Sequence, residues 1–467
     1  MDPRFAAHNT HLSDPAAFAA LDPHLRRLRD QPLVHRSSLV DRLPVGRAGI
    51  YSLGGGRQIG KTTLVKQWMA HLLQQGIAPG RIAYLTGELI DDHHALIRLL
   101  DGLLDEAGPE AFCYLIIDEV SYIRDWDKGV KFLADAGRLE RAVLLLTGSD
   151  LTFIKEARMR FPGRRGSAEV VDFHLYPLNF YEVVCLKKSL PPERLSALLD
   201  TGAEPAPEKV QPDLAILLKE LTAYLEHGGF LTALNDLAAT GRIAPATFAT
   251  YSDWIRGDVL KRGKQEHYLR EILAAIVKRC GSQVSWNNLA ADLSIDHPAT
   301  VRDYAALLAN MDALFIQPAL LEDKLTAAPK KARKLMFTDP FIFHAVRSWL
   351  NPCRDPYQEQ VRPLLADPSW SGRLLEAAAI TQYRQYYPTY YIKAEGEVDL
   401  ALVVGNGFEP MEIKWSGQLR PKDLKQIAKY PNGRILTRST RFGQINGIPT
   451  EPLPLTLFRL GARPRPE

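Results

Sequence analysis

A glycine-rich stretch that contains one lysine and two threonines is the part of this chain best suited to chemistry. Residues 53–64 read Leu-Gly-Gly-Gly-Arg-Gln-Ile-Gly-Lys-Thr-Thr-Leu and contain G-x-x-x-x-G-K-[ST] from Gly55 to Thr62. In such a loop, successive backbone N–H groups point at phosphate oxygens, and the following helix N-terminus favours negative charge. The stretch therefore predicts a site for the phosphates of ATP.

The elements on either side of this loop are the ones that it needs. An apolar run over residues 49–53 predicts a buried strand, and Leu64, Trp68 and Leu72 recur at helical spacing after it. Lys61 is expected to reach the β- and γ-phosphates, and the Thr62 hydroxyl is expected to bind Mg²⁺. The predicted ATP contacts are Gly55, Gly56, Arg57, Gln58, Ile59, Gly60, Lys61, Thr62 and Thr63.

A second apolar strand ends in two carboxylates. The sequence Cys-Tyr-Leu-Ile-Ile-Asp-Glu occupies residues 113–119, and Asp118 lies 57 residues after Lys61. We expect Asp118 to hold Mg²⁺ through water and Glu119 to orient and deprotonate the attacking water. The alternative is an acidic strand end at a solvated turn.

The next apolar strand, residues 142–146, leads into Thr147 and Ser149, either of which is a candidate to sense the γ-phosphate or the attacking water. A basic loop follows, and it contains Arg158, Arg160, Arg164 and Arg165. Arg164 and Arg165 are candidates for an arginine that stabilises transition-state charge, from the same subunit or from a neighbour. The alternative is a solvated basic loop.

Five apolar segments with helical patterns between them predict an α/β fold built on a parallel sheet. The further strands are expected at residues 81–85 and 169–173, with a helix over residues 91–106. In such a doubly wound sheet, the nucleotide binds at the carboxyl ends of the strands.

The order of these motifs resembles the prokaryotic AAA-type ATPases that carry a restriction-endonuclease-like C-terminal domain. The resemblance covers roughly residues 35–440 and includes Leu-Tyr-Pro-Leu-Asn-Phe-Tyr-Glu over residues 175–182 and Tyr-Leu-Glu-His-Gly-Gly-Phe over residues 224–230. It implies that the strand before the glycine-rich loop is central in the sheet and that residues 214–275 form a helical lid. The family usually has proline at Gly56 and a single Gly-Arg where this chain has Gly163-Arg164-Arg165.

The C-terminal part resembles the core of the PD-(D/E)xK nuclease fold. Residues 398–404 and 408–414 predict a hairpin, and the positions that match the family motif are Glu376, Asp399, Glu412 and Lys414. The resemblance implies that the three carboxylates hold Mg²⁺ or Mn²⁺ and that Lys414 helps position the nucleophile. The alternative is a surviving fold in which these charges form salt bridges.

Between these parts, residues 282–320 predict a helix-turn-helix with a wing. Asp296–Pro298 would make the turn, and the second helix would present Thr300, Arg302 and Asp303. Contact with the DNA major groove and simple packing remain alternatives. The basic run over residues 330–334 is expected either to contact phosphates or to be a solvated loop.

These patterns divide the chain into successive parts. The predicted parts are an N-terminal leader (1–45), an AAA-type P-loop ATPase domain (46–186), a linker (187–213), a helical lid (214–275), a winged helix (276–340) and a PD-(D/E)xK nuclease-like α/β domain (341–467). The predicted fold class is therefore α/β, with the parallel five-stranded ATPase sheet followed by the helical lid, the winged helix and the nuclease-like domain.

The bulk composition limits the class of protein. The 467 residues have a net charge of +4, 46% hydrophobic residues and 24% charged residues, which is ordinary for a soluble globular protein. The four cysteines are scattered, so neither a disulfide framework nor a zinc site is supported. No signal peptide or membrane span is predicted, and a cytoplasmic location is expected.

We expect an ATPase whose nucleotide cycle controls the nuclease-like module, with DNA favoured over RNA as the nucleic-acid partner. A homo-oligomer or a protein partner is also compatible with the sequence. One rival reading is a switch or scaffold with an inactive nuclease fold, and the other is a non-catalytic DNA-binding ATPase.

Overall fold

The structure, a computed structural model, describes residues 2–149, 159, 161, 163–166, 168–200, 207–295, 297–415 and 424–466, with no side chains for 207–210. It divides into two compact units. The first contains Met1–Tyr176 and Asn310–Asp312, and the second contains Pro177–Ala309 and Ala313–Pro466. Of the predicted residues, Arg158, Arg160 and Asp296 lie outside the described part of the chain.

The first unit is a five-stranded sheet with helices on both faces. Its strands are β1 (Gly49–Gly54), β2 (Ile82–Thr86), β3 (Cys113–Asp118), β4 (Ala142–Thr147) and β5 (Asp172–His174). Its helices are α1 (Phe18–Leu21), α2 (Pro23–Arg29), α3 (Leu39–Arg42), α4 (Lys61–Gln74), α5 (His93–Ala107) and α6 (Trp126–Asp135). Short 3-10 turns occupy Pro3–His8, Thr10–Leu12, Pro79–Arg81, Gly87–Leu89 and Val120–Tyr122.

All neighbouring strands of this sheet are parallel, in the order β2-β3-β4-β1-β5. The predicted five-stranded parallel sheet is therefore confirmed. In the described part of the sheet, β1 is interior, between β4 and β5, and β4 holds the middle position. The fifth strand, expected at 169–173, lies at Asp172–His174, and Glu169 before it is in a bend.

Two apolar cores cover the two faces of the sheet. Helix α4 and the N-terminal leader bury one face through Leu64, Trp68 and Phe18, and α5 and α6 bury the other through Leu96 and Val130. The alternating strand residues divide between the two cores, which is why these strands are apolar along their whole length.

The leader also covers the outer edge of the sheet. The Asn9 side chain donates to Tyr84 O and accepts from Tyr84 N, both at 2.8 Å. His11 Nε2 lies 2.9 Å from Ile82 O. The strand β2 therefore has backbone groups paired by side chains on its outer side.

The second unit begins with helices and ends with a mixed sheet. Its helices are α7 (Phe180–Leu186), α8 (Pro192–Leu199), α9 (Pro207–His227), α10 (Leu231–Thr240), α11 (Pro245–Lys261), α12 (Glu266–Lys278), α13 (Trp286–Ala291), α14 (Pro298–Asn310), α15 (Pro340–Leu350), α16 (Arg362–Ala366), α17 (Pro368–Tyr383) and α18 (Leu453–Gly461). A π-helical turn, Tyr357–Val361, and a 3-10 turn, Ile427–Lys429, complete the helical segments.

The second unit contains three sheets. Their strands are β6 (Gln283–Val284), β7 (Leu314–Pro318), β8 (Leu320–Leu321), β9 (Thr326–Ala327), β10 (Arg333–Phe337), β11 (Thr389–Lys393), β12 (Glu397–Val404), β13 (Gly407–Lys414), β14 (Arg434–Thr437), β15 (Gly443–Ile445) and β16 (Ile448–Pro452). The strand orders are β6-β10-β7, β8-β9 and β11-β12-β13-β14-β16-β15. The predicted hairpin is present as β12 and β13.

The segment expected to be a linker, residues 187–213, is partly helical. It contains α8, and α9 begins within it at Pro207.

A pair of glycines fixes the start of the second unit. A Cβ at Gly228 would lie 1.7 Å from Asp339 Oδ1, and one at Gly229 would lie 2.1 Å from Leu178 O. The Gly229 N–H donates to Asp339 Oδ2 at 2.8 Å, and the Asp339 carboxyl also caps α15. The two glycines of the Gly-Gly-Phe motif therefore lie in close contact with Leu178 and Asp339.

Among the described residues, no helix is both long and apolar enough to cross a membrane.

Candidate nucleotide site

The glycine-rich loop joins β1 to α4 and needs glycine at its first turn. Gly55 has a φ of +146° and Gly60 a φ of +101°. A Cβ at Gly55 would lie 2.6 Å from Leu175 O, so a larger residue would push the loop away from the chain that follows β5. The loop is therefore held close to the strand ends, where the predicted phosphate site lies.

Lys61 is the first residue of α4, and its ammonium lies inside the loop. It donates to Gly55 O and Gly56 O, both at 3.0 Å, and lies 3.4 Å from Glu119 Oε1. Burial lowers the pKa of Lys61, and the Glu119 and Asp118 carboxylates oppose that shift. The lysine is therefore placed as a buried cation facing the loop and the end of β3.

The Asp118 carboxylate accepts hydrogen bonds from three hydroxyl groups. Its Oδ2 accepts from Thr62 Oγ1 and from the Tyr84 phenol, both at 2.7 Å. Its Oδ1 accepts from Thr147 Oγ1 at 2.5 Å. The predicted pair Thr62 and Asp118 is thus brought together, and Tyr84 is a participant that the sequence prediction missed.

Glu119 follows β3 in a left-handed conformation, with a φ of 54°. Its backbone N–H donates to Thr147 Oγ1 at 2.8 Å, so one threonine orders both acidic residues. Its Oε2 is buried and has no hydrogen-bond partner in the described part of the chain. That free acceptor beside Lys61 is where a water or a ligand hydroxyl would be expected.

The remaining predicted loop residues surround this centre. Gln58 has a left-handed φ of 58°, and Ile59 packs against the core beneath α4. The Arg57 guanidinium donates to the Tyr122 hydroxyl at 3.2 Å. Thr63 is half-buried in the first turn of α4, and Ser149 is half-buried just beyond β4.

The two candidate arginines have different environments. Arg165 is buried and donates to Ile50 O, Val171 O and Asp172 Oδ1 at 3.2, 2.9 and 2.6 Å. It thereby ties β1 to β5, which makes it a structural residue. Arg164 pairs with Asp135 nearer the surface, so we retain Arg164 alone as the candidate finger.

The four residues predicted in the C-terminal domain converge. Lys414 Nζ lies 2.5 Å from Glu412 Oε1 and 4.0 Å from Asp399 Oδ2. The Asp399 N–H donates to Glu412 Oε2 at 3.3 Å, and Asp399 Oδ2 accepts from Ile413 N at 3.0 Å. Helix α17 brings Glu376 to the other side of Asp399.

Two further charged residues, Glu397 and Lys334, lie with these side chains. We define the acid cluster as the four carboxylates Glu376, Glu397, Asp399 and Glu412. Lys334 Nζ lies 2.9 Å from Glu376 Oε1, 2.5 Å from Glu397 Oε1 and 3.4 Å from Asp399 Oδ1. The alternation of β12 places Glu397 on the face of Asp399, a signal that the sequence offered. The basic run over residues 330–334 was expected either to be a solvated loop or to contact phosphates. For Lys334 both expectations are wrong, because it is buried on strand β10.

The electrostatics of the acid cluster reflect burial and crowding. Burial and the Asp399 carboxylate raise the pKa of Glu376 and of Glu412. Burial opposes ionisation of Lys334, but the Glu376, Asp399 and Glu397 carboxylates raise its pKa well above the usual value. Lys334 is therefore a buried ammonium group.

The acid cluster does not fit a divalent cation in this arrangement. The oxygens of Asp399 and Glu412 are already taken by lysine or backbone N–H groups. Within the described ranges, no group of three His, Cys, Asp or Glu is placed to hold a metal ion. The carboxylates are neutralised by two lysines instead.

The segment that we expected to be a helix-turn-helix contains helices α13 and α14. Ser285 caps α13 by accepting from Asn288 N at 3.1 Å. On α14, Arg302 and Asp303 are exposed, with 3.6 Å between Arg302 Nε and Asp303 Oδ1, and Thr300 is half-buried. The exposed face of α14 therefore carries one arginine that is partly offset by its neighbour.

The parallel sheet, the glycine-rich loop and the paired acids at the end of β3 match a P-loop ATPase core. Residues 47–184 match a family model described as "AAA domain". Residues 218–352 match a second model, described as "Domain of unknown function (DUF8612)". That second match covers most of the helical part of the second unit and ends before the six-stranded sheet.

Two curated proteins are similar to parts of the chain. An uncharacterized protein of Haemophilus influenzae is 24% identical over 269 residues, which cover 55% of this chain and 59% of that protein. An uncharacterized protein of Methanocaldococcus jannaschii is 29% identical over 196 residues, which cover 39% of this chain and 38% of that protein. The chain thus spans less than two thirds of either relative.

Among solved structures, a Walker-type ATPase of Pyrococcus abyssi has a TM-score of 0.37 and 16% identity, over 64% of this chain and 91% of that one. The Aeropyrum pernix ORC2 protein, in ADPNP and ADP complexes, has a TM-score of 0.34 and 15% identity, over 67% and 90%. Similarity at this level does not assign a function.

Proposed function

We propose that this protein binds and hydrolyses ATP and that its nucleotide cycle controls the nuclease-like module of the second unit. The observation that supports the first part is the cluster of Lys61, Thr62, Asp118, Glu119 and Thr147 at the carboxyl ends of β1, β3 and β4. These are the groups that a P-loop ATPase uses to hold phosphates and to direct water.

Each residue of the site has a separate role in this proposal. The loop N–H groups and Lys61 bind the phosphates, and Lys61 neutralises charge on the β- and γ-phosphates. Glu119 holds the attacking water through its unpartnered Oε2 and accepts its proton. Thr147 fixes the direction of Glu119 through the backbone N–H of that residue.

The site also fits Mg²⁺. The Thr62 hydroxyl and the Asp118 carboxylate lie side by side, and hard oxygen ligands are the ones that Mg²⁺ prefers. Bound Mg²⁺ would supply charge neutralisation to the phosphates. Tyr84 and Thr147 hold the Asp118 carboxylate in place for that role.

Two variants test this proposal. Lys61→Ala is expected to weaken ATP binding sharply in calorimetry, because it removes the buried cation of the loop. Glu119→Gln is expected to retain ATP but to hydrolyse it about 10²–10⁴-fold more slowly, because only the base is lost. Lys128→Ala, which changes an exposed lysine on α6, is the matched control. Unchanged ATP affinity in Lys61→Ala would remove the proposal.

The second part of the proposal concerns nucleic acid. The motif positions Glu376, Asp399, Glu412 and Lys414 lie together, and α13 and α14 form a helix pair beside an antiparallel sheet. DNA is favoured over RNA, because a helix of this kind enters the DNA major groove, whereas the RNA major groove is too narrow. The rival proposal, an ATPase switch or scaffold with an inactive nuclease fold, is favoured by the two lysines that neutralise the acid cluster.

Binding and cleavage assays distinguish these two proposals. Fluorescence anisotropy with duplex DNA, single-stranded DNA and RNA should show duplex DNA bound most tightly, and Arg302→Ala should weaken that binding. Strand cleavage is then measured with Mg²⁺ or Mn²⁺ and with or without ATP. Cleavage that Asp399→Ala abolishes while ATP hydrolysis persists would support the nuclease; no cleavage under any condition would support the switch.

A further inference from the structure

Three side chains lie in one row across the three-stranded sheet of the second unit. In the register of that sheet, Lys334 on β10 pairs with Gln283 on β6 and with Gln317 on β7. Gln317 is fully buried, and Lys334 is 1% exposed. A row of two amides and one ammonium on a buried sheet face requires acceptors opposite it.

Those acceptors are on the six-stranded sheet. Gln317 Nε2 donates to Tyr390 O and Asp399 O, both at 3.0 Å, and Gln283 Nε2 donates to Glu397 Oε2. Lys334 lies between them against Glu376, Glu397 and Asp399. All three strands of the small sheet therefore supply a side chain to strand β12 or its neighbours.

The charges show what Lys334 does there. The acid cluster contains four carboxylates, and Lys414 compensates only Glu412 and part of Asp399. Without Lys334, Glu376, Glu397 and Asp399 would face one another with no cation between them. Buried carboxylates in that situation either take up protons or bind a metal.

We infer that Lys334 is the resident cation of the acid cluster and that it excludes divalent metal as long as β10 holds it there. The small sheet and the six-stranded sheet then form one closed site, and entry of a metal requires Lys334 to leave. This inference qualifies the proposed nuclease-like module and does not depend on ATP hydrolysis.

Metal binding by the nucleotide-free full-length chain tests the inference. Mn²⁺ is titrated by calorimetry into the wild type, Lys334→Met and the control Lys330→Met, which changes an exposed lysine of the same basic run. Lys334→Met is expected to gain one Mn²⁺ site, with affinity on the order of 10²-fold above that of the wild type, because a full charge in contact with the carboxylates is removed. The Lys330→Met titration should match the wild type.

A second pair of variants ties the gain to this cluster. Adding Asp399→Asn to Lys334→Met should abolish the new site, whereas the ATPase site, which contributes equally to every titration, is unaffected. Lys334→Met/Glu397→Gln removes one charge of each sign and provides a folded alternative if the single variant unfolds; it too should gain the site.

Two results would overturn the inference. The first is a wild-type Mn²⁺ site that Asp399→Asn removes and that Lys334→Met leaves at the same affinity. The second is a folded Lys334 variant that gains no site. Both readouts are independent of ATP turnover and of strand cleavage, so they do not overlap with a failure of the proposed function.

Discussion

The phenol of Tyr84 and the hydroxyl of Thr62 donate to the same oxygen of Asp118, each across 2.7 Å. Tyr84 lies in the middle of β2, and two strands, β3 and β4, separate β2 from β1, which leads into the glycine-rich loop. Burial raises the pKa of Tyr84, so its hydroxyl remains a donor at all physiological pH values. The acid that is proposed to hold Mg²⁺ is thus oriented by a residue outside the recognised motifs.

Tyr84→Phe should therefore impair hydrolysis without abolishing ATP binding. A hydrogen bond to a charged group contributes about 1.5–3 kcal/mol, so we expect turnover to fall by about 10-fold or more and the Mg²⁺ requirement to rise. The measurement is kcat as a function of Mg²⁺ concentration. Tyr51→Phe removes a hydroxyl that bonds Arg47 O and is the control. Identical Mg²⁺ dependence in Tyr84→Phe and wild type would show that Tyr84 only packs.

The two neighbouring arginines should give opposite results. Arg165→Ala removes the cation that pairs with the buried Asp172 carboxylate, so we expect a loss of about 3–5 kcal/mol of stability, seen as a lower unfolding temperature by calorimetry. Arg164→Ala should leave the unfolding temperature unchanged and lower the ATPase rate. If Arg164 acts on a neighbouring subunit, the specific activity of the wild type should rise with protein concentration, and full turnover in Arg164→Ala would exclude that role.

A glycine of the second unit should tolerate no side chain. Gly229→Ala places a Cβ against the Leu178 backbone, so overpacking is expected to lower stability by about 1–3 kcal/mol. Gly257 lies inside α11 with open space around it, and Gly257→Ala should raise stability by up to about 1 kcal/mol. The free energy of unfolding of both variants is measured in urea. Equal changes in the two variants would show that the predicted clash at Gly229 is relieved.

The stability of the second unit should depend on pH through Asp339. Burial raises the pKa of this carboxyl from 3.8 to about 7, so the folded state binds its proton more tightly than the unfolded state. Its contribution is fully present below pH 3.8 and is lost as the pH rises through about 7. Between pH 5 and pH 8, Asp339 should therefore remove about 2–3 kcal/mol of stability.

Comparison with Asp339→Asn isolates this contribution, because other titrating groups cancel in the difference. The free energy of unfolding of Asp339→Asn minus that of the wild type should be larger at pH 8 than at pH 5. Two buried histidines act in the opposite direction: burial lowers the pKa of His227 to about 3 and that of His344 to about 4. Their contribution is lost as the pH falls below 6.5. A difference between variant and wild type that does not change with pH would contradict the role of Asp339.

Local motifs explain why much of this arrangement could be predicted from the sequence. Lys61 and Thr62 follow from a strand, a loop and a helix in immediate succession, and Asp118 and Glu119 follow from an apolar strand that ends in two acids. The hairpin of β12 and β13 brings Asp399 beside Glu412. Tyr84 and Lys334 could not be found in this way, because their partners are 34 and 65 residues away on other elements. The contacts of Arg165 with Ile50 and Asp172 could not be predicted either, because they depend on how β5 pairs with β1.

The side chains of Asn9 and His11 along β2 also have a consequence for self-association. An outer strand with unpaired N–H and C=O groups can recruit a strand from another molecule and start aggregation. The Asn9 amide bonds both the N–H and the C=O of Tyr84, as a neighbouring strand would, and His11 contacts the C=O of Ile82. These backbone groups of β2 are therefore already paired. Asn9 and His11 thus protect this edge of the sheet from pairing with a strand of another molecule.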